Sequence, residues 1–353
     1  MGIKECCTTF LAGLPDPALP FLPSLILGTC FAAFFLLLFY KKSTNLPLKI
    51  ILIHILKKVL YLLPNQDHSE SEACHNPDCV RCHKYAELKV QIVNKWKNIR
   101  ASKSKFVSSQ LEEAVNKIVC EINPAQKLDV NDEPTKRKIK APNIELQNPT
   151  IFKMDLTANP YWNDFMVYQK DLRFLKLNFS IILKEFISVF EALQKGDNWG
   201  WKLNDIAEGH WCIFPFIDQG LVNESNCKRC PNVAAILDTL PSLMKDCVFG
   251  NACFSILYPD SNIKAHHGPS NIRLRCHLGL RIPDGCWLEV AGTQYKWKVE
   301  ETVVFDDSFE HSATFVNQSS SSHAYPRAVL MVDFWHPDLT SEDKEVLSEL
   351  LAP

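Results

Sequence analysis

Two histidines, His266 in AHHGPSN and His311 in FDDSFEH, fall at the margins of expected strands or turns, and Arg327 follows on a later strand. Neutral imidazole nitrogens are common ligands of a borderline transition metal. A planar guanidinium grips a carboxylate through two parallel hydrogen bonds. A lone histidine is more often structural, but two on separate strands with an arginine downstream point to a metal sharing its pocket with an anionic ligand. The run from Asn271 to Arg281 adds donors. Its alternation sets Ile272, Leu274, Cys276, Leu278 and Leu280 on one face and Arg273, Arg275, His277 and Arg281 on the other. That polar face is either a basic edge open to water or a cavity wall whose fixed donors await an anion. A two-histidine, one-carboxylate iron site would want an acid two residues after the first histidine, where Gly268 stands instead.

Strands must hold these groups. From Trp211 onward helical periodicity gives way to alternation. The runs from Cys286 to Val290, Tyr295 to Val299, Thr302 to Phe305 and Ala328 to Trp335 are short, β-branched or aromatic, and separated by turn residues. Together they predict an antiparallel β-sandwich or barrel. Upstream, Val107, Leu111, Val115 and Ile118 recur at helical spacing and predict a helix over 104–121, while Ile182, Phe186, Val189, Phe190 and Leu193 stripe a second amphipathic helix. Between them, five prolines from Pro124 to Pro160 and a basic cluster at Lys136, Arg137, Lys138 and Lys140 read as a linker.

With 353 residues, 46% hydrophobic and 22% charged, the chain can build one large domain or two small ones, which excludes disorder throughout. Lys plus Arg number 38 against 40 Asp plus Glu, so no net positive field exists to hold a polyanion, and nucleic acid is excluded as the main partner. Phe21 to Tyr40 is an uncharged run long enough for an α-helix to cross a lipid bilayer. Its bulky, lysine-flanked end favours an anchor over a cleaved signal peptide. The expected organisation is a tail (1–20), a transmembrane helix (21–40), a juxtamembrane and helical or linker region (41–148) and a C-terminal domain (149–353). Lys41, Lys42 and Lys49 after the span, against Lys4 before it, taken alone place that domain in the cytosol. The run 46–63 fits a helix lying along the membrane surface. Cys6 and Cys7 are either palmitoylation sites or plain thiols. Cys74, Cys79 and Cys82, beside His75 and His83, could hold a metal, form disulfides or stay free. Cys227 and Cys230, with Cys247 nearby, are the expected members of a bridge.

On HHGPSNIRLRCHLGL (His266 to Leu280), FDDSFEH (Phe305 to His311) and VDFWHP (Val332 to Pro337), with GHW at Gly209 to Trp211, the chain resembles the aspartyl/asparaginyl β-hydroxylase family. Within it, the likeness is greatest to the membrane-anchored aspartate β-hydroxylase domain-containing subgroup. The resemblance runs roughly from Pro149 to Leu350. It implies a mainly β catalytic domain, a double-stranded β-helix or jelly roll with flanking helices. It also implies hydroxylation of Asp or Asn side chains in protein substrates, EGF-like domains among them, using Fe(II), 2-oxoglutarate and O₂. In this family two histidines hold the iron without a protein carboxylate, so Gly268 is what the resemblance predicts. Carried over by motif, His266 and His311 are the metal ligands, and Trp211, Ser255, Arg275, Cys276, His277 and Arg327 form the cosubstrate site. A single-pass membrane glycoprotein with its catalytic domain in the lumen of the endoplasmic reticulum is implied too, against the lysine count; sequons at Asn178, Asn223 and Asn317 suit it. The other function class is a membrane-anchored binding or scaffolding protein that keeps the fold without turnover. Retention of both histidines and the whole cosubstrate set weighs against it, since buried donors without a ligand are costly.

Overall fold

Period-2 alternation carries the second half of the chain into strands, whose two faces must each find cover. A computed structural model describes residues 87–102, 107–123, 146–162, 166–204, 206–318 and 325–353, all within one compact unit spanning Asn65–Pro353. Its strands are β1 (Lys202–Asn204), β2 (Trp211–Asp218), β3 (Leu221–Val222), β4 (Ala252–Leu257), β5 (Ser261–His266), β6 (Arg273–Arg281), β7 (Cys286–Val290), β8 (Thr293–Tyr295), β9 (Thr302–Phe305), β10 (His311–Phe315) and β11 (Arg327–Trp335). The larger sheet runs β1-β2-β4-β11-β6-β9, with β3 on β2, and the smaller runs β5-β10-β7-β8. Every strand pairing is antiparallel. From β4 onward the chain passes back and forth between the sheets, so strands distant in sequence become neighbours. Leu257, Leu288, Val290, Phe305, Phe315 and Val329 fill the space between them.

The larger sheet is buried on both faces, and β11 is buried at every position. Its outer face is covered by helix α4 (Phe179–Gln194), which follows α1 (Leu88–Ser102), α2 (Ser109–Ile122) and α3 (Gln169–Leu177). The five residues of the sequence stripe, Ile182, Phe186, Val189, Phe190 and Leu193, are the buried ones of α4. Phe186 meets Phe254 edge-on at 5.3 Å between ring centroids, and Phe254 in turn packs on Phe216 at 5.1 Å. Each such side chain contributes about 1.5–3 kcal/mol by leaving water. That helical cover keeps the sheet's outer side dry and leaves its inner side to build a site.

Several elements depart from the sequence reading. Helices α5 (Glu224–Arg229) and α6 (Pro231–Asp238) interrupt the strand-rich part, started by the Asn223 cap and by Pro231 in the first turn. The strand expected from Tyr295 to Val299 ends at Tyr295, and the chain reverses through Glu300 at φ 66°. Residues 146–162 form a packed extended strap, although the proline run up to Pro160 read as linker and the domain was expected to begin at 149. Phe152, Met154, Leu156, Ala158 and Trp162 are buried, Phe152 bridges to Ser270, and the Asn271 side chain bonds both backbone groups of Met154. Prolines suit such a strap because most of its backbone lies outside any ladder. Cys227, Cys230 and Cys247 form no disulfide, nor does any other described cysteine. Cys247 sits in the apolar cluster with Met244 and Phe249, whereas Cys227 turns to the Phe216 carbonyl.

The expected span at 21–40, the run 46–63, the basic cluster, and Cys6, Cys7, Cys74, Cys79 and Cys82 lie outside the described residues. Among the described residues no helix is long and apolar enough to cross a membrane.

Candidate active site

His266 closes β5 and His311 opens β10, and the antiparallel register makes them direct cross-strand partners. Their ring centroids lie 4.1 Å apart. Nδ1 of His266 is 2.8 Å from the Lys264 carbonyl and Nδ1 of His311 is 3.0 Å from that of Phe309. A carbonyl only accepts, so each Nδ1 carries the proton and each Nε2 the lone pair, the tautomer a metal ligand needs. Burial pushes His311 down to about 4, so its ring is neutral at pH 7. Among the described residues no third His, Cys, Asp or Glu joins the pair in a metal-binding cluster.

The gap left by Gly268 has a packing reason. A Cβ at that position would lie 2.6 Å from the Asp307 carboxyl carbon. Asp307 is fixed there by Arg273, whose Nε donates at 3.2 Å, and by Arg275 at 3.4 Å. Arg275 also grips Asp333 with two donors, at 2.8 and 2.9 Å. Burial alone would raise the Asp307 carboxyl, but the two guanidinium groups hold it well below the usual carboxylate range. Gly268→Ala must therefore displace one member of a buried ion network. Breaking such a pair costs about 3–5 kcal/mol, and urea denaturation should show a loss of this size, whereas a loss below about 1 kcal/mol would show that the network gives way freely.

The second group comes from the inner face of the larger sheet. Trp211 Nε1 donates to Ser255 Oγ at 3.0 Å, and Arg327 reaches the Ser255 carbonyl and Oγ at 3.4 and 3.5 Å. Arg327 is 1% exposed and meets no carboxylate among the described residues; its Nε has no hydrogen-bond partner there. Burial lowers it to about 10, which still leaves it charged at pH 7. His277 stands across from Met331 on the neighbouring strand, and its Nε2 is likewise buried with no partner. Burial, then Arg327 and Arg275, push His277 well below its ordinary value and keep it neutral. A buried cation without a counter-ion lies beside a buried imidazole nitrogen without a partner, a set of groups whose chemistry suits an anion.

The structure brings Trp211, Ser255, His277 and Arg327 together, with Trp297 between the last two. Arg275 lines the same cavity as His266 and Asp307, a space of about 250 Å³ walled by Ile213, Cys253 and Met331, but its charge is already met by Asp333. Arg273 and Arg275 thus stand on a cavity wall and not a wet edge, whereas Arg281, expected on the same face, leaves it at the bulge opposite Ala328 and Val329 and packs over the Phe190 ring of α4. Cys276 is a correction: alternation turns its side chain to the outer, helix-covered face, away from His277, where burial pushes its thiol up. The sequence reading missed Asp307, Asp333 and Trp297. An aspartate inside the apolar run of β11 was a visible signal for Asp333; Trp297, outside any strand, had none.

Fold and site together define a mainly β protein of two antiparallel sheets, carrying an imidazole pair and a buried guanidinium without a described counter-charge on the inner side. Residues 176–337 match the family model described as aspartyl/asparaginyl beta-hydroxylase. Aspartate beta-hydroxylase domain-containing protein 2 of Xenopus tropicalis is 34% identical over 282 residues, covering 79% of this chain and 70% of that protein. Its Mus musculus counterpart is 33% identical, covering 79% and 76%. The Homo sapiens aspartyl/asparaginyl beta-hydroxylase is 34% identical over 194 residues, 54% of this chain and 24% of that protein. A solved Pseudomonas putida prolyl-4-hydroxylase aligns over 46% of this chain and 98% of that chain, at 15% identity and a TM-score of 0.30. The chain belongs to the aspartyl/asparaginyl beta-hydroxylase family. Membership of a hydroxylase family supports an oxygenase.

Proposed function

We propose that the chain is an Fe(II)- and 2-oxoglutarate-dependent dioxygenase, built on a double-stranded β-helix, that hydroxylates aspartyl or asparaginyl side chains of protein substrates. The observation that carries this reading is the buried Arg327 guanidinium, uncountered by any described carboxylate, beside the unpartnered Nε2 of His277. Both fit a dicarboxylate cosubstrate. His266 and His311 would hold the iron through Nε2, and Arg327, Ser255, Trp211 and His277 would hold 2-oxoglutarate. When bound, iron and 2-oxoglutarate supply the oxidising chemistry, one oxygen atom of O₂ going to succinate, formed with CO₂, and the other to the new hydroxyl group.

The chain's own residues do the placing. The Lys264 and Phe309 carbonyls hold the two ligand rings in one tautomer. Asp307 and Asp333 balance Arg273 and Arg275, so the uncompensated positive charge of the pocket rests on Arg327. Ile213, Cys253 and Met331 make the neighbouring wall apolar, which limits water at the reacting centre. Incubation of the purified protein with Fe(II), 2-oxoglutarate and peptides bearing Asp or Asn should release succinate in step with a 16 Da gain on the peptide, the mass of one oxygen atom, roughly. Absence of both turnover and iron binding would overturn the reading in favour of a scaffold.

We further propose a single-pass glycoprotein whose catalytic domain lies in the lumen of the endoplasmic reticulum, where EGF-like domains would be available as substrates. The uncharged run at 21–40 and the three sequons support this. A mobility shift on glycosidase treatment of cell-expressed protein is expected; no shift would place the domain on the other side of the membrane.

A further inference from the structure

Trp297 lies outside the residues carried over by motif, yet it touches both groups of the anion pocket. It is 4% exposed and packs within the core between the sheets. Its Nε1 is 3.3 Å from Nδ1 of His277, and the Arg327 Cζ lies 4.7 Å over its ring. It also lines a cleft of about 610 Å³ with Trp287 and Lys296.

An indole N–H can only donate. Nδ1 of His277 must therefore accept, and the proton of the neutral imidazole must sit on Nε2, the atom without a partner in the structure. In the other tautomer Nε2 would present a lone pair to an incoming anion and repel it. Under Arg327 the same ring does a second job. Its face attracts the buried guanidinium and offsets part of its desolvation, as a carboxylate would, but leaves the N–H donors and the positive charge available. One side chain thus prepares both donors.

We infer that Trp297 is a positioning residue for the anionic cosubstrate, acting through His277 Nε2 and the Arg327 guanidinium, a proposal that rests on the 2-oxoglutarate reading above. The test is isothermal titration of the full-length protein with 2-oxoglutarate in the presence of Mn(II), a metal that binds without turnover, alongside titration with Mn(II) alone. Trp297→Phe keeps an aromatic face under Arg327 but removes the N–H. Its 2-oxoglutarate Kd should rise about five- to tenfold, the worth of one buried hydrogen bond, while its Mn(II) Kd stays within about twofold of the parent. In a His277→Leu background the same substitution should add less than about twofold, because its effect runs through His277. A merely structural role would weaken metal and cosubstrate together and would persist without His277. Should the Phe variant fail to fold, Trp297→Met, which also removes the ring under Arg327, should raise the 2-oxoglutarate Kd more than about tenfold, keep part of that rise in the His277→Leu background, and leave the Mn(II) Kd within about twofold of the parent. A variant that binds 2-oxoglutarate as tightly as the parent overturns this inference alone; a parent that binds Mn(II) but no 2-oxoglutarate overturns the functional reading and this inference with it.

Discussion

His311→Ala is expected to lower Mn(II) or Fe(II) affinity more than about 100-fold and to bring succinate formation below detection. Substitutions that merely disturb the orientation of a metal ligand cost about 10- to 100-fold, so loss of the ligand itself sets that as a floor. No third acidic or imidazole side chain of the described cluster stands ready to compensate, and the space a carboxylate at position 268 would need is filled by Asp307. His266→Ala should behave alike, since the two rings face each other from paired strands at 4.1 Å. His267→Ala is the internal control. Its Nδ1 contacts the Ser308 carbonyl, not a position in the imidazole pair, and metal affinity should stay within about threefold of the parent. Calorimetric titration with Mn(II) separates these outcomes, and parent-like metal binding by His311→Ala would remove the basis of the proposed centre.

Arg327→Leu should weaken 2-oxoglutarate binding about 100-fold or more while making the ligand-free protein harder to melt. Truncating one partner of a buried charge pair costs about 2–5 kcal/mol of binding, and this guanidinium has no second cation beside it that is not already paired with Asp307 or Asp333. The opposite sign on stability follows from the same burial. An ion 1% exposed with no described counter-charge is carried at a cost, and a leucine of smaller but apolar bulk removes that cost. Thermal melts with and without 2-oxoglutarate and Mn(II) report both effects. The parent should gain stability on adding the cosubstrate and the variant should not. Arg327→Lys keeps the charge but loses the planar fork, so intermediate affinity is expected. If Arg327→Leu melts earlier than the parent and still binds 2-oxoglutarate with parent affinity, the arginine serves packing and not an anion.

Much of this site was legible before any coordinates. The histidine-bearing motifs and Arg327 singled out side chains that the fold brings onto the inner side, His266 and His311 as cross-strand partners, and alternation along β6 placed Arg273, Arg275 and His277 on one face. The apolar stripe of α4 was readable in full, because a helix declares its buried face through local periodicity alone. The same periodicity shows why Cys276 fails as a pocket residue: away from a bulge, an odd step along a strand reverses the side.

What the chain order could not reveal is what each face would meet. Residues 146–162 lacked a signal of their own because their cover comes from Gly268 to Asn271, far along the sequence. Whether Arg275 is free or engaged depends on Asp333, brought alongside it by the β6–β11 register. The reason for a glycine at 268 lies in the Asp307 carboxylate, and the role of Trp297 in a turn that leaves the sheet just after β8. Residue types and local spacing are properties of a few adjacent positions, and they determined the chemistry on offer and the side of each element that bears it. Charge balance, tautomer and steric exclusion are properties of pairs joined only when antiparallel strands cross between two sheets, so tertiary structure alone decided which donors remain available for a ligand.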